Sequence, residues 1–318
     1  MMKKDRRLIG LACLLIGSAA YGLGVDNRGA SGADFLRIGP GARPAAMGEA
    51  FSAVADDVHA LYYNPAGLGA VSSWRMTGMH NEYFQGVGYD FFAVAAPLQT
   101  LWGSPSRTLP GVVGLGVQSL SVSDLQRRGS SDSDQPTGAF GANDLAFTLA
   151  YAQHVGDALS LGASLKVIQQ TLDDRHDGFF AADLGGQYQA GERWTFGAGM
   201  RHLGPSPHLG GPADPLPSLA YVGAAYRPQN GLLLCADAAS TRAGRDILSS
   251  GLEYSHELAP DIHGALRLGY TTRNSDAGGM AGAAAGGGIG FRTMDVDFAW
   301  VPFGDLGDTY RFSLSLKF

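Results

Sequence analysis

Segments of about ten residues in which apolar and polar side chains alternate recur along most of the chain, and nothing else narrows its possible folds so far. In "LAFTLAY" Leu145, Phe147, Leu149 and Tyr151 share one side, and in "LSLGASLKV" Leu159, Leu161, Ala163, Leu165 and Val167 do the same. "RWTFGAGM" groups Trp194, Phe196, Ala198 and Met200, and "IHGALRLGY" sets Ile262, Leu266, Leu268 and Tyr270 against His263 and Arg267. "MDVDFAW" places Met294, Val296, Phe298 and Trp300 opposite Asp295 and Asp297. Period two is the mark of a strand with two unlike faces. Beyond the first twenty residues no run of eighteen apolar residues occurs, so no transmembrane helix is expected. A membrane can still be crossed by strands closed into a barrel, apolar outside and polar in the lumen. A soluble sandwich alternates too, with its apolar side inward. Tyr151, Tyr188, Trp194, Tyr226, Tyr254, Tyr270, Trp300 and Tyr310 fall at segment ends, as the aromatic girdles of a membrane barrel do.

The two ends of the chain point the same way. "MMKKDRRLIGLACLLIGSAA" has a basic start, an apolar run from Leu8 to Gly17 too short to span a bilayer, and then small residues. Residues 1–20 are expected to be a secretory signal peptide, cut after Ala20 or Gly22. The apolar run continues past Cys13, which argues against a lipoprotein site. Removing this segment moves the formal net charge from −6 to −9 and leaves Cys235 as the one cysteine. An acidic chain without a basic patch is not expected to bind nucleic acid. At the other end, "TYRFSLSLKF" alternates without error and stops on Phe318. A strand this apolar at a free terminus must be paired or face lipid. It resembles the terminal strand by which outer-membrane barrels are recognised by their assembly machinery.

Connection lengths give an independent reading. About fourteen antiparallel strands are expected, from 72–83 to 309–318. From the third strand on, long connections (123–142, 171–179, 204–217, 240–246, 271–283, 302–308) alternate with the short turns "VGDA", "ER", "PQNG", "ELAPD" and "RT". Outer-membrane barrels have long extracellular loops and short periplasmic turns. "QTLWGSPSRTLP" is long where a short turn is expected. A barrel of this size lies between eight strands, filled by its own side chains, and sixteen, which leave a channel. Something must fill it.

Residues 21–71 are expected to form that plug and residues 72–318 the barrel. Pro44 suits a first helical turn, and Met47, Ala50, Phe51 and Val54 are spaced for one apolar helical face. Asp56 and Asp57 are placed to cap a second short helix through "VHALYY", which Asn64-Pro65 ends. The plainer alternative is an amphipathic hairpin capping one mouth of the barrel.

"GARPAAMGEAFSAVADDVHALYYNPAGLGAV" resembles the amino-terminal hatch of the long-chain fatty-acid transporter (FadL-type) outer-membrane family, and is most similar to its PorV/PorQ-like branch. The resemblance is specific over residues 33–71. It implies a fourteen-stranded barrel closed by an N-terminal helical hatch, with passive passage of hydrophobic molecules such as long-chain fatty acids. Its alternative implication is a non-transport scaffold for type IX secretion proteins. In the hatch, Arg43, Met47, Phe51, Leu61, Asn64, Pro65 and Ala66 are the expected ligand-contacting residues. Arg43 would pair either a ligand carboxylate or a wall aspartate. Gly111, Gly114 and Gly116 lie in the third strand, where the family implies a lateral gate; tight packing beside the hatch is the other reading. Expected partners are outer-membrane lipid, a hydrophobic small molecule, the assembly machinery through Phe318, and secretion-system proteins on the scaffold reading.

No enzyme, cofactor or metal is expected. "GGGIG" at 286–290 lacks the following Lys-Ser/Thr and helix of a phosphate loop. His202 and His208 do not have metal-ligand spacing. No nucleophile elbow G-x-S-x-G occurs. Asp173, Asp174 and Asp177 with Arg175 and His176 read as a charged, solvated loop tip.

Overall fold

The computed structural model describes residues 31–101, 110–129, 135–209, 213–242 and 244–318. The expected signal peptide lies outside these residues. Fourteen antiparallel strands close into one barrel, each paired with its sequence neighbours and β1 (Arg75–Glu82) with β14 (Asp308–Lys317). Between them run β2 (Val87–Pro97), β3 (Val112–Arg127), β4 (Gly138–Val155), β5 (Leu159–Leu172), β6 (Arg175–Ala190) and β7 (Trp194–Leu203). The round is completed by β8 (Leu219–Gln229), β9 (Leu232–Thr241), β10 (Ile247–Ala259), β11 (Ile262–Thr271), β12 (Ala283–Phe291) and β13 (Met294–Pro302). No described helix is long and apolar enough to cross a membrane.

Which way the alternation faces separates a membrane barrel from a soluble one. Leu266 is 70% exposed, Phe180 57% and Phe312 56%, and Leu115, Leu149 and Leu165 also face out. Their strand neighbours point into the lumen, where Gln118, Thr148, Lys166, Arg267, Asp297 and Arg311 are buried. Apolar side chains cover the outside and polar ones the inside, as a closed sheet in lipid requires. The short turns and both barrel termini share one end, which is periplasmic by the same rule.

The extracellular ends of four strands run farther than the sequence suggests. β5 and β6 continue to a tight turn at Asp173-Asp174, so the expected loop 171–179 is a hairpin tip; Asp173 is left-handed, with φ 58°. The expected loop 123–142 shrinks in the same way, because β3 reaches Arg127 and β4 starts at Gly138. Polar residues there break the alternation, yet the neighbouring strand supplies the ladder that extends them. β3 to β6 have 16, 18, 14 and 16 residues against 8 and 11 in β1 and β2, roughly 17 Å more rise for five residues. In the long connection after β2, Leu98–Leu101 form a single helical turn and the rest lies outside the described residues.

The lumen is filled by the segment before β1. Gly32 N–H donates to Pro215 O at the extracellular end, and the Gly69 carbonyl lies 2.9 Å from His154 Nε2 near the periplasmic turn after β4. The expected amphipathic helix is shorter than its spacing implies. α1 is only Ala42–Ala46, and Met47, Ala50, Phe51 and Val54 follow in turns. Gly48 (φ 63°) and Glu49 (φ 62°) are left-handed and end the helix. The close wall is the reason, since a Cβ on Gly48 would stand 2.6 Å from the Tyr270 backbone. α2 (Ala60–Tyr63) follows, with Asp57 Oδ1 accepting from the His59 N–H just before it, at 2.8 Å.

Candidate functional site

The hatch meets the wall through three kinds of contact. The first is close backbone approach. A Cβ on Gly269 of β11 would stand 2.0 Å from Gly48 N, and one on Gly162 of β5 would stand 2.4 Å from Ala66 N. Glycine at these inward positions lets two backbones lie side by side.

The second contact is apolar. Met47 and Phe51 are fully buried and Leu61 is 1% exposed, all in one cluster that includes Phe91, Ala93 and Ala150 of the wall. Gly114 and Gly116 of β3 make room for Leu61, whose methyls lie 2.9 and 3.2 Å from where their Cβ atoms would sit. Here β3 stays paired with β2 and β4 without interruption. Its irregularity lies farther along, between Val122 and Leu125, with Asp124 at φ 59°. Gly111, expected in the third strand, lies in the bend just before β3, at φ 131° with its Cβ position against the Tyr151 ring.

The third contact is polar, and it decides the register of the hatch. Arg43 Nε and Nη2 donate to the two oxygens of Glu253 on β10, at 2.9 and 3.1 Å, while Nη1 reaches Asp56 (2.7 Å) and Asp57 (3.1 Å). The wall carboxylate is thus a glutamate, and two hatch aspartates share the guanidinium. Glu253 is held again by Arg267 at 2.6 Å, which also binds Asp297 at 2.6 Å. Burial pushes the Asp57 carboxyl up, but His59 and Arg43 outweigh it and hold the group well below the usual carboxylate range. Asp237 of β9 accepts the Phe51 and Ser52 N–H groups at 3.0 and 2.8 Å. Asn64, fully buried, donates to Ser52 O and Gly186 O and accepts from Ala66 N, so one side chain ties two hatch turns to β6. Pro65 and Ala66 form the buried turn that follows.

A buried ionic group also sits in the wall itself. Lys166 donates to Asp183, which accepts from Ser164 Oγ and the His202 N–H. Asp183 faces a bulge in β7 where two residues, Arg201 and His202, occupy the space of one. Arg201 stacks between the rings of Tyr62 (4.8 Å) and Tyr221 (5.3 Å).

Among the cavities that border the hatch, two lie beside its charged residues at opposite ends. The extracellular one, about 320 Å³, is bounded by Arg37, Glu49, Tyr83, Arg273, Phe303 and Arg311 among others. The periplasmic one, about 220 Å³, lies beside Arg43, Asp57 and His59. No group of three or more His, Cys, Asp or Glu among the described residues is placed to hold a metal ion.

Solved structures match the fold of this chain. The Pseudomonas putida toluene transporter TodX aligns with a TM-score of 0.57 and 12% identity, over 87% of this chain and 96% of its own. The Ralstonia pickettii toluene transporter TbuX gives 0.55 and 15%, over 88% and 98%. A Pseudomonas aeruginosa FadL homologue gives 0.54 and 12%, over 86% and 97%. The chain has the FadL-type fold. No protein-family model matches it, and no curated protein matches it in sequence. A FadL-type barrel with an apolar exterior is a multi-pass outer-membrane protein.

The wall partners of the hatch escape a motif search. Asp237, Glu253, Arg267, Arg273 and Arg311 lie in strands or at their ends, far from the hatch in sequence. The available signal is parity: "ADA", "LEY", "LRL" and "YRF" each set a charged residue at a lumen-facing position between outward neighbours.

Proposed function

We propose that the protein is a passive outer-membrane channel for hydrophobic small molecules, with the segment from Arg43 to Leu68 as its movable stopper. One observation carries this reading. The lumen holds a segment attached to the wall through glycine contacts, apolar packing and ion pairs, all non-covalent contacts that a shift of a few ångström would undo. A bare fourteen-stranded lumen leaks polar solutes, so a selective channel needs such a stopper. An apolar ligand also needs an apolar wall, and burial contributes roughly 0.8 kcal/mol per ligand CH₂. On this reading Met47, Phe51 and Leu61 are the apolar surface a ligand meets as the hatch shifts. The contact of Leu61 with Gly114 and Gly116 is the seam for sideways exit, beside Gly111. The chemistry is diffusion, with no catalysis and no cofactor.

The complete burial of Met47, Phe51 and Leu61 favours a second reading. A lumen packed to this degree also suits a scaffold that displays its tall β3–β6 wall to a secretion partner. Deletion of residues 43–68 separates the two. A channel so treated leaks small polar solutes and loses binding of a fluorescent fatty acid. If permeability and binding are both unchanged, the scaffold reading replaces the channel.

A further inference from the structure

The extracellular chamber carries a charge imbalance that its periplasmic counterpart lacks. Arg37, Arg273 and Arg311 line it against the carboxylates of Asp34 and Glu49, an excess of one positive charge in a chain whose net charge is −6. The periplasmic cavity sets Arg43, Arg75, Arg267 and Lys317 against Asp57, Glu253, Asp295 and Asp297, which balances.

The excess centres on Arg311. Its residue is 3% exposed. Nη1 donates to Gly39 O at 2.8 Å and Nη2 to Tyr83 Oη at 3.1 Å, both neutral acceptors. The Glu49 carboxylate lies 3.6 Å from Arg311 Nη1 and is already bound by Arg273 at 2.8 Å. The Nε atoms of both Arg311 and Arg273 are buried and have no hydrogen-bond partner. A buried guanidinium is costly unless a carboxylate pairs with it. Beside it the chamber is apolar. The rings of Tyr83 and Phe303 pack edge to face at 5.8 Å, backed by Phe84, and Ile38, Val301 and Ala284 continue that surface.

We propose that this chamber binds a compact organic monoanion, an aromatic carboxylate of one or two rings, with the carboxylate on Arg311 and Arg273 and the rings against Tyr83 and Phe303. The channel reading supplies only its onward route. Guanidinium and carboxylate match in charge and planar geometry. The chamber's volume sits at the small end of ligand pockets, which suits rings rather than a folded long chain. The periplasmic cavity, whose formal charges balance, offers the anion no net positive charge, so the chamber around Arg311 is the side that retains it.

Isothermal titration of the full-length protein in lipid nanodiscs tests this, with 1-naphthoate, its neutral isostere 1-naphthamide, and oleate. The expected result is a preference for naphthoate over naphthamide of about tenfold or more, erased in R311M and retained in R292Q at a periplasmic turn. R311K guards against a folding defect: it keeps the charge and part of the preference. On the unaltered protein, added salt should weaken naphthoate and leave naphthamide unchanged. Equal binding of the two naphthyl probes, preference surviving R311M, or binding of oleate alone overturns the proposal. Naphthalene flux into liposomes bearing the protein is measured in parallel. Accelerated flux with no anion preference leaves the channel standing and this proposal refuted. Anion preference without accelerated flux of naphthalene or naphthoate does the reverse.

Discussion

Replacing Arg43 with methionine removes the ionic lock while keeping the length and apolar stem of the side chain. The magnitude follows from what each partner retains. Glu253 loses two hydrogen bonds but keeps Arg267 at 2.6 Å. Asp57 keeps the His59 ring at 3.0 Å and its backbone N–H at 2.8 Å. Asp56, with a side chain 40% exposed, can be hydrated. Losing one partner of a buried ion pair costs about 3 to 5 kcal/mol; since no carboxylate is left bare, the cost falls near 3 kcal/mol. At 1.36 kcal/mol per decade, that lowers the hatch-docking equilibrium about 150-fold. The barrel should survive, because none of its strand ladders involves Arg43. R43M should therefore keep the heat-dependent gel mobility of a folded barrel, while planar-bilayer recordings show openings far more often than the parent protein. Equal conductance in the two proteins would refute the lock. So would a loss of barrel stability without new openings, since Arg43 would then support the barrel rather than the hatch.

Three further outcomes are expected. G269L places a side chain where Gly48 N stands 2.0 Å from the Cβ position, so the hatch must move at a cost of about 1–3 kcal/mol or more; hatch proteolysis should quicken, whereas G78A, with nothing within 4 Å, should behave as the parent. The depressed carboxyl of Asp57 contributes stability above its unfolded pKa of about 3.9, and that contribution is lost as pH falls through the lower folded value. Conductance should thus be level from pH 8 to 5 and rise only in stronger acid, and D57N should flatten part of that acid limb, a change that unaltered acid sensitivity would exclude. Deleting Phe318 removes the last residue after β14, whose N–H donates to Trp74 O, and should lower the yield of heat-modifiable barrel in outer-membrane fractions.

The wall of this protein is legible in the sequence because its information is local. A strand in a barrel has one lipid side and one lumen side, so period two and turn length carry strand number, facing and orientation. "LSLGASLKV" and "TYRFSLSLKF" state their outward faces before any contact is known. Where strands leave the membrane that constraint ends, and β5 and β6 continue through "QQTLDDRHDG" on pairing alone. The hatch depends on tertiary structure for a different reason. Its spacing favours a helix through Val54, but the Tyr270 backbone lies where that helix would run, and Gly48 and Glu49 turn the chain aside. Asn64 could be assigned to a turn from Asn-Pro alone, whereas its bond to Gly186 and the pairing of Arg43 with Glu253 needed the closed barrel. The same holds for the chamber around Arg311. Parity puts each charge in the lumen, but only closure of the sheet decides which charges meet, because residues hundreds of positions apart become neighbours across a lumen that low dielectric makes sensitive to every unpaired group.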